Sequence, residues 1–290
     1  MRKRMLLAAV ILAGAANLKA QITEVSGFQN PESVIAHKKH LFVSNMGAQL
    51  DPKAKDGDGY ISMLSRDSGI VKQERYITGL NSPKGMLVRG CKLFIADVDR
   101  VVAYNIKNRK KVWEVSLSSE GVLYANDITG GCGKIIVSAT DKNTIYKICR
   151  SGKIKKMTVD AALPGVNGLQ KKCCKLFVAN YGRGTDPDGS IGWIHGKKFV
   201  ELKNAHGIFD GIGKVCGMLV VSDWGSTTES KGRLVTYYMH KKIVREVNLG
   251  RSINGPADIY IDKCKKRIWI PAMRENKVLS IPLSKIKESK

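Results

Sequence analysis

The chain has 290 residues, of which 43% are hydrophobic and 26% charged, and its formal net charge is +24. This hydrophobic content is enough for a packed core and excludes an intrinsically disordered chain, while the length allows one or two domains. The charge favours anionic partners such as envelope polymers, lipid headgroups or nucleic acid.

The first twenty residues have the features of a secretory signal peptide. Basic residues at 2–4 precede an apolar stretch at 5–16 that is too short to span a bilayer, and small residues follow. We therefore predict a signal peptide over 1–20 and a mature domain over 21–290, located in the periplasm or secreted. The alternative is an uncleaved anchor. No later stretch is long and apolar enough for a membrane helix, so the cleaved chain is not expected to span a membrane.

One segment occurs six times along the chain. Its first copy is PESVIAHKKHLFVSN at 31–45, and each copy has a short opening, a turn and a strongly apolar run. The starts of the copies are separated by 52, 42, 41, 43 and 47 residues. A period of about 40–45 residues with β-type segments indicates a propeller with one blade per repeat. The other copies begin at Pro83, Ala125, Val166, Phe209 and Pro256.

Each repeat contains four strand-like pieces, which we name A to D in chain order. Strand A opens the repeat, B is the apolar run (LFVSN, 41–45), C alternates polar and apolar residues (RVVAYNI, 100–106), and D follows a short turn (KVWEVSL, 111–117). The sixth repeat ends before its D strand, whereas ITEVSG (22–27) resembles REVNLG (245–250). We predict an all-β, six-bladed β-propeller with four-stranded blades, in which the N-terminal strand closes the last blade.

The chain contains seven cysteines, which is unusual for an exported protein. Five of them lie near the turn between strands A and B of successive repeats: Cys91, Cys132, Cys174, Cys216 and Cys264. Equivalent points on neighbouring blades should lie further apart than the roughly 7 Å that a disulfide allows between Cα atoms. We therefore expect mostly free thiols with a structural role.

Rotational symmetry should bring the starts of the six A strands to one axial mouth. Their second residues are Glu32, Lys84, Asn126, Asn167, Asp210 and Ala257, and their third residues are Ser33, Gly85, Asp127, Gly168, Gly211 and Asp258. Carboxylate and carboxamide oxygens that converge on one point are what a hard cation such as Ca²⁺ needs. No His or Cys joins the ring, so zinc is disfavoured.

Long connections between strands B and C should form the rim of this mouth. The segments 45–59 and 180–189 each contain Asp-Pro followed by Asp-Gly, and 223–232 is related to them. Loops on a rigid scaffold commonly carry function. Trp224 lies in the third loop and is a candidate to contact a ligand, against the alternative that it belongs to the core of a blade.

The repeats resemble the regucalcin/gluconolactonase family of six-bladed propellers over essentially the whole mature chain. PES (31–33), VNGL (166–169) and FDGI (209–212) are similar to family segments that supply metal ligands, and ANDI (125–128) is similar to a segment near the substrate. The resemblance implies that a divalent ion, Ca²⁺ or alternatively Mn²⁺ or Mg²⁺, is bound by Glu32, Asn167 and Asp210, with Asn126 near the substrate or its water.

The resemblance also implies an exported, metal-dependent hydrolase of a small lactone or ester. The ion would stabilise the developing oxyanion as a Lewis acid, and Asp210 or Asp258 would take a proton from the attacking water. The family's sugar lactonases have an Arg two residues before the Asn, where this chain has Tyr124. This difference weakens the case for a sugar-acid lactone and makes Tyr124 a candidate substrate contact.

Lys84 leaves three interpretations open. Its ammonium could bridge to Glu32 and replace the metal, contact an anionic substrate, or point into a neighbouring carboxylate with the metal still bound. The first interpretation fits an alternative function: a monomeric, non-catalytic propeller that binds an anionic ligand or envelope polymer. Residues 1–20 contain four basic and no acidic residues, so the mature chain keeps a charge of +20. We expect no specific nucleic-acid partner, because no binding motif accompanies this charge.

Overall fold

The computed structural model describes residues 21–288, which form six four-stranded antiparallel sheets arranged in a ring. The six-bladed β-propeller predicted from the repeats is therefore confirmed. The proposed signal peptide lies outside the described residues and stays a prediction. Within 21–288, no helix has the length and apolar character needed to cross a membrane.

The strands of each blade follow one another outward from the axis in chain order, as A, B, C and D. Blade 1 contains β2 (Pro31–His37), β3 (His40–Asn45), β4 (Gly59–Ser65) and β5 (Val71–Leu80). Blade 2 contains β6 (Pro83–Arg89), β7 (Lys92–Asp97), β8 (Arg100–Asn105) and β9 (Lys111–Ser116). Blade 3 contains β10 (Ala125–Gly131), β11 (Lys134–Ala139), β12 (Thr144–Ile148) and β13 (Ile154–Lys156).

The second half of the ring repeats this order. Blade 4 contains β14 (Val166–Lys172), β15 (Lys175–Asn180), β16 (Gly189–His195) and β17 (Lys198–Gly207). Blade 5 contains β18 (Phe209–Val215), β19 (Met218–Asp223), β20 (Arg233–Tyr238) and β21 (Ile243–Glu246). Blade 6 contains β22 (Tyr260–Asp262), β23 (Arg267–Ala272), β24 (Lys277–Pro282) and β1 (Thr23–Ser26). Three short 3₁₀ helices (Ser118–Glu120, Thr140–Lys142, Met273–Glu275) and α1 (Lys285–Glu288) complete the described elements.

The hydrophobic core lies between the blades. Six apolar clusters each join residues of two neighbouring blades, and together they fill the six interfaces of the ring. The B strands are buried along nearly their whole length, as in β19, whereas D strands such as β9 alternate between exposed and half-buried residues. A single blade cannot cover its own faces, so the ring folds as one unit.

The ring closes through the N-terminal strand, as predicted. Strand β1 pairs antiparallel with β24, from Thr23 opposite Ser280 to Ser26 opposite Lys277. A partly buried ion pair reinforces the same seam, because the Arg66 guanidinium in blade 1 donates to both carboxylate oxygens of Asp262 in blade 6, at 2.6 and 2.7 Å. Two independent contacts therefore hold the first and last blades together.

None of the seven cysteines forms a disulfide. Six are exposed in the turns between strands A and B, and Cys149 is half-buried. Most of these turns are two-residue hairpins that need a left-handed backbone conformation, and Cys132 adopts it with a φ of 47°.

Replacing Asp262 by Asn should destabilise the ring, because it leaves the Arg66 guanidinium without its carboxylate. We expect a loss of about 2–4 kcal/mol in the free energy of unfolding, measured by denaturant titration at neutral pH. The matched control is Asp67→Asn, which removes an exposed ion pair with Lys265 from the same seam and should cost less than about 1 kcal/mol.

The Asp262 effect should also depend on pH. Burial raises the pKa of Asp262, but hydrogen bonds from Arg66 and from the Lys265 amide outweigh it and bring the pKa below its usual value. A carboxyl whose pKa is lowered in the folded state stabilises the protein fully at pH values above its unfolded pKa of about 3.9. This stabilisation is lost as the pH falls from there through the lower pKa of the folded state. Equal stability of the two proteins at neutral pH would contradict the closure role of this pair.

Candidate functional site

Five of the six A strands carry the same irregularity at their start. In blade 1, Pro31 pairs with Asn45 and Ser33 with Ser44, so that Glu32 is the extra residue of a β-bulge. Strands β6, β10, β14 and β18 show a register shift in the same place. A bulge bends the strand and redirects the side chain. The repeated bulge thus gives the second residues of the A strands a common orientation.

The bulge removes one backbone N–H group of strand A from the hydrogen bonds between strands A and B. In blades 1, 3 and 5 this N–H donates instead to the hydroxyl of a serine, which is the next-to-last residue of the apolar run in strand B. The three bonds are Ser33 N to Ser44 Oγ (2.9 Å), Asp127 N to Ser138 Oγ (2.9 Å) and Gly211 N to Ser222 Oγ (2.7 Å). A serine inside an otherwise apolar B strand is the feature of the sequence that indicates these bulges, and the bulges were not predicted from it.

Close approach of the A strands explains the glycines at their third position. A Cβ atom on Gly168 would lie 2.2 Å from the backbone oxygen of Asp210, and one on Gly211 would lie 2.6 Å from the Cα of Asp258. Any larger side chain would push neighbouring blades apart at the axis. The same convergence brings the second residues of different blades near one another.

The second residues surround a buried, acidic chamber on the axis. Glu32, Asn126, Asn167 and Asp210 are each at most 4% exposed. Burial raises the pKa of Glu32 well above its usual value, and the charges of Asp210 and Asp258 raise it further. Burial likewise raises the pKa of Asp210 to about 7. Carboxyl groups from distant parts of the chain therefore repel one another across one space.

Three oxygens of this chamber lack a hydrogen-bond partner. Nine buried side-chain atoms of the described residues have none, and three of these are Glu32 Oε2, Asn167 Oδ1 and Asp210 Oδ1. A buried acceptor without a donor is costly, so its presence calls for an explanation such as an ion. These three residues come from blades 1, 4 and 5 and are the ones that the sequence predicts as metal ligands.

The donor set fits a hard cation with one restriction. Two carboxylates and one carboxamide offer oxygen ligands of the kind that Ca²⁺, Mn²⁺ and Mg²⁺ prefer. Within residues 21–288, no group of three or more His, Cys, Asp or Glu side chains is arranged to hold a metal ion. A cation in this chamber would therefore depend on the Asn167 carboxamide as well as on the two acids.

Lys84 does not bridge to Glu32. Its side chain is fully buried, and its ammonium donates to the carbonyl oxygens of Pro52 and Ser82, both at 2.7 Å. The ammonium also lies 4.9 Å from the centre of the Tyr124 ring. Burial lowers the pKa of Lys84 to about 8, although the charge of Glu32 opposes this shift. Lys84 therefore anchors the long loop after β3 through Pro52 and forms no ion pair with Glu32.

The two third-position acids have different partners. Asp127 accepts the backbone N–H groups of Ile128 (2.6 Å) and Leu169 (2.5 Å), so both of its oxygens have a donor and the second bond joins blade 3 to blade 4. Asp258 is half-buried and accepts the Ser33 hydroxyl at 2.6 Å. Asp258 is thus the acid with access to solvent.

Trp224 is not an open platform for a ligand. Its side chain is 7% exposed, and its indole N–H donates to Asp210 Oδ2 at 3.0 Å. The Tyr181 ring packs edge-on against it, with 5.8 Å between ring centres. The indole therefore orients Asp210 so that only Oδ1 remains without a partner.

Tyr181, which directly follows strand B in the second long loop, was not among the site residues predicted from the sequence.

Asn126 is partly engaged by its neighbours. Its side-chain N–H group donates to Thr140 Oγ1 at 3.1 Å, and the Thr140 hydroxyl donates to the Val166 carbonyl at 2.9 Å. This chain of bonds links blade 3 to blade 4 and fixes the carboxamide. The half-buried Tyr124 ring lies two residues before Asn126, close enough for the charges of Asp210 and Glu32 to raise the pKa of Tyr124 further above its usual value, which burial raises most.

The fold and this chamber define the class of protein as a six-bladed β-propeller with an acidic axial site. No protein-family model matches the chain, and no curated protein is similar to it in sequence. The regucalcin/gluconolactonase resemblance therefore stays a prediction.

Solved structures share the fold. Virginiamycin B lyase from Staphylococcus aureus superposes with a TM-score of 0.60 at 16% identity, covering 90% of this chain and 98% of its own. A streptogramin B lyase gives 0.62 at 15% identity over 89% and 96% of the two chains, and a nidogen/laminin complex gives 0.64 at 13% over 82% and 89%. At such identities the likeness shows the fold alone. The similar structures include both enzymes and a binding protein.

Replacing Trp224 by Phe should destabilise the protein through Asp210. The ring is retained, but Asp210 Oδ2 loses its donor inside the chamber. We expect a loss of about 1–3 kcal/mol in the free energy of unfolding, measured by denaturant titration. The matched control is Trp193→Phe, at the interface of blades 4 and 5, where no indole hydrogen bond to the described residues is lost. An equal or larger effect in the control would show that ring size rather than the hydrogen bond matters.

Proposed function

We propose that the axial chamber binds a divalent cation and hydrolyses a small lactone or ester. One observation carries the proposal: Glu32, Asn167 and Asp210, at equivalent positions of three A strands, each present a buried oxygen without a partner, and the charge of Asp210 raises the pKa of Glu32. Mutual repulsion among the acids is the second support. Lys84 is the buried cation whose charge lowers the pKa of Glu32, but its ammonium donates to two backbone carbonyls. A divalent ion would reverse the local electrostatics and compensate all three oxygens.

The cation, when bound, would supply a Lewis acid for a substrate carbonyl oxygen and its developing negative charge. Glu32, Asn167 and Asp210 would hold it. Asp258 is the better candidate to accept a proton from an attacking water, because it is half-buried and Asp210 is needed as a ligand. The Ser33 hydroxyl, which donates to Asp258, would keep that carboxylate in position.

The remaining walls restrict the substrate to a small, uncharged or weakly polar molecule. Tyr124 and Asn126 line one side, and the Lys84 ammonium, next to the Tyr124 ring, directs its three donors to two carbonyl oxygens and, at 3.5 Å, to the Ser82 hydroxyl rather than to an anionic substrate. An apolar cluster of Met46, Ile208, Trp224, Ala257 and Met273 packs on the mouth side together with Tyr181. These surroundings suit an ester or lactone better than a sugar acid.

A second candidate function is a non-catalytic propeller that binds an anionic ligand or partner. The net charge of +24 supports it. In this case no divalent ion is needed, and protons on the buried carboxyl groups, whose pKa values are raised, would compensate the acids of the chamber. The location in the periplasm or outside the cell, and a monomeric state, are parts of both proposals.

Adding divalent ions to the purified protein distinguishes the hydrolase from the non-catalytic binding protein. We expect Ca²⁺ or Mn²⁺ to stabilise the purified protein by about 2.7 kcal/mol at a hundredfold excess over its Kd, seen as a rise of several degrees in Tm. Turnover of a panel of lactones and esters should require the same ion. Glu32→Gln keeps the shape of the side chain but removes its charge, and it should abolish both effects.

The control for this variant is Glu201→Gln, which removes one acid from an exposed position in β17. It should keep the shift in Tm and the turnover of the parent. Elemental analysis of the parent and Glu32→Gln proteins measures the bound ion directly. Absence of any shift or bound ion in the parent would remove the hydrolase proposal and leave the binding function.

A further inference from the structure

The two faces of the propeller differ in charge. Turns that join strands A to B and C to D lie on one face, which we call the turn face, while the other connections lie on the face with the axial mouth. Between the described strands, the turn face has fourteen Lys or Arg residues and one acid, Asp67. The mouth face has seven Lys or Arg and twelve Asp or Glu. The positive charge is therefore concentrated opposite the candidate site.

The turn face is also the flatter of the two. Five of its A–B turns have two residues, as at 38–39, whereas the loop at 46–58 on the mouth face has thirteen. Short turns at similar radial positions place their charged side chains near one plane. A flat, positively charged surface is suited to a broad anionic partner rather than to a small ion.

Two neighbouring grooves combine positive charge with apolar surface on this face. The groove between blades 2 and 3 has a volume of about 490 Å³, with Arg89, Lys92 and Arg150 at its rim and Phe94, Trp113 and Ile148 beneath. The groove between blades 3 and 4 has a volume of about 230 Å³, with Lys134, Lys147 and Lys171 at its rim and Met157, Leu176 and Ile194 beneath. Each groove therefore offers cations beside apolar side chains.

Exposed apolar residues lie at the edge of the same face. Ile70, Val112 and Ile243 are 59%, 44% and 40% exposed, and each lies where a D strand begins, the last two beside a basic turn. The two other large exposed apolar side chains, Leu50 and Leu123, lie in loops of the mouth face. Apolar side chains among clustered lysines are typical of proteins that rest on an anionic membrane.

We propose that the turn face docks on the surface of a lipid bilayer that contains anionic lipids. Lysine and arginine side chains would contact the headgroups, and the exposed Ile70, Val112 and Ile243 would contact the uppermost acyl carbons. A soluble acidic polymer would neutralise the cations but would leave these apolar side chains in water, so their exposure favours lipid. Docking in this way would leave the axial mouth facing the solution, where substrate arrives.

Vesicle sedimentation tests the proposal with the chain from Gln21. This chain contains every strand of the propeller and lacks the basic, apolar segment at 1–20, which could bind lipid on its own account. We expect binding to vesicles of phosphatidylcholine with phosphatidylglycerol, no binding to phosphatidylcholine alone, and weaker binding as salt is added.

Matched variants locate the surface. Replacing Lys134, Lys147 and Lys171 together by Gln should weaken binding to the anionic vesicles by about tenfold or more. Replacing three lysines of the mouth face, Lys53, Lys142 and Lys231, by Gln should leave binding unchanged. Both triple variants change only side chains on the surface, and equal Tm values check that they fold alike.

Apolar variants distinguish a bilayer from a soluble polyanion. Ile70→Asn combined with Val112→Asn should reduce binding to anionic vesicles several-fold and leave binding to heparin, used as the soluble probe, unchanged. The proposal is overturned if the chain from Gln21 does not bind anionic vesicles, or if the mouth-face variant loses as much affinity as the groove variant. It is also overturned if the apolar changes leave vesicle binding unaltered, because the partner would then be a polyanion.

Discussion

Uncompensated negative charge at the axis is the constraint on which the rest of the chamber depends. Six A strands converge so closely that glycine is required at several of their third positions, and the bulges then direct the second residues toward one another. Glu32 and Asp210 are buried there without an ion pair. Because charge buried in this way opposes folding, the chamber is an unfavourable arrangement unless a cation or a proton compensates it.

The repeat in the sequence was sufficient to predict the ring and its closure. Each of these follows from local pattern and symmetry, which place equivalent residues at equivalent points. The partners of those residues could not be predicted in the same way. Lys84 meets Pro52 across 32 positions of the chain, and Ser33 meets Asp258 across 225. Such contacts depend on which blades are neighbours and on bulges that shift a side chain by one position.

Opposite faces of the propeller have opposite electrostatic character, which suggests a division of roles. The mouth carries long loops, buried acids and aromatic side chains, while the turn face carries short turns, lysines and scattered apolar residues. The core between the blades consists of six apolar clusters, and its members Ile148, Leu176 and Ile194 also line the grooves of the turn face. The charged side chains at the surface of either face can be altered by substitution without removing this packing.

The central claim is that Glu32, Asn167 and Asp210 form one cation site. Crystals of the protein soaked in a manganese salt and measured at the manganese absorption edge test it most directly. The account predicts an anomalous density peak on the axis, within coordination distance of oxygens of all three side chains. Manganese peaks at surface carboxylates only, with none on the axis, would contradict it.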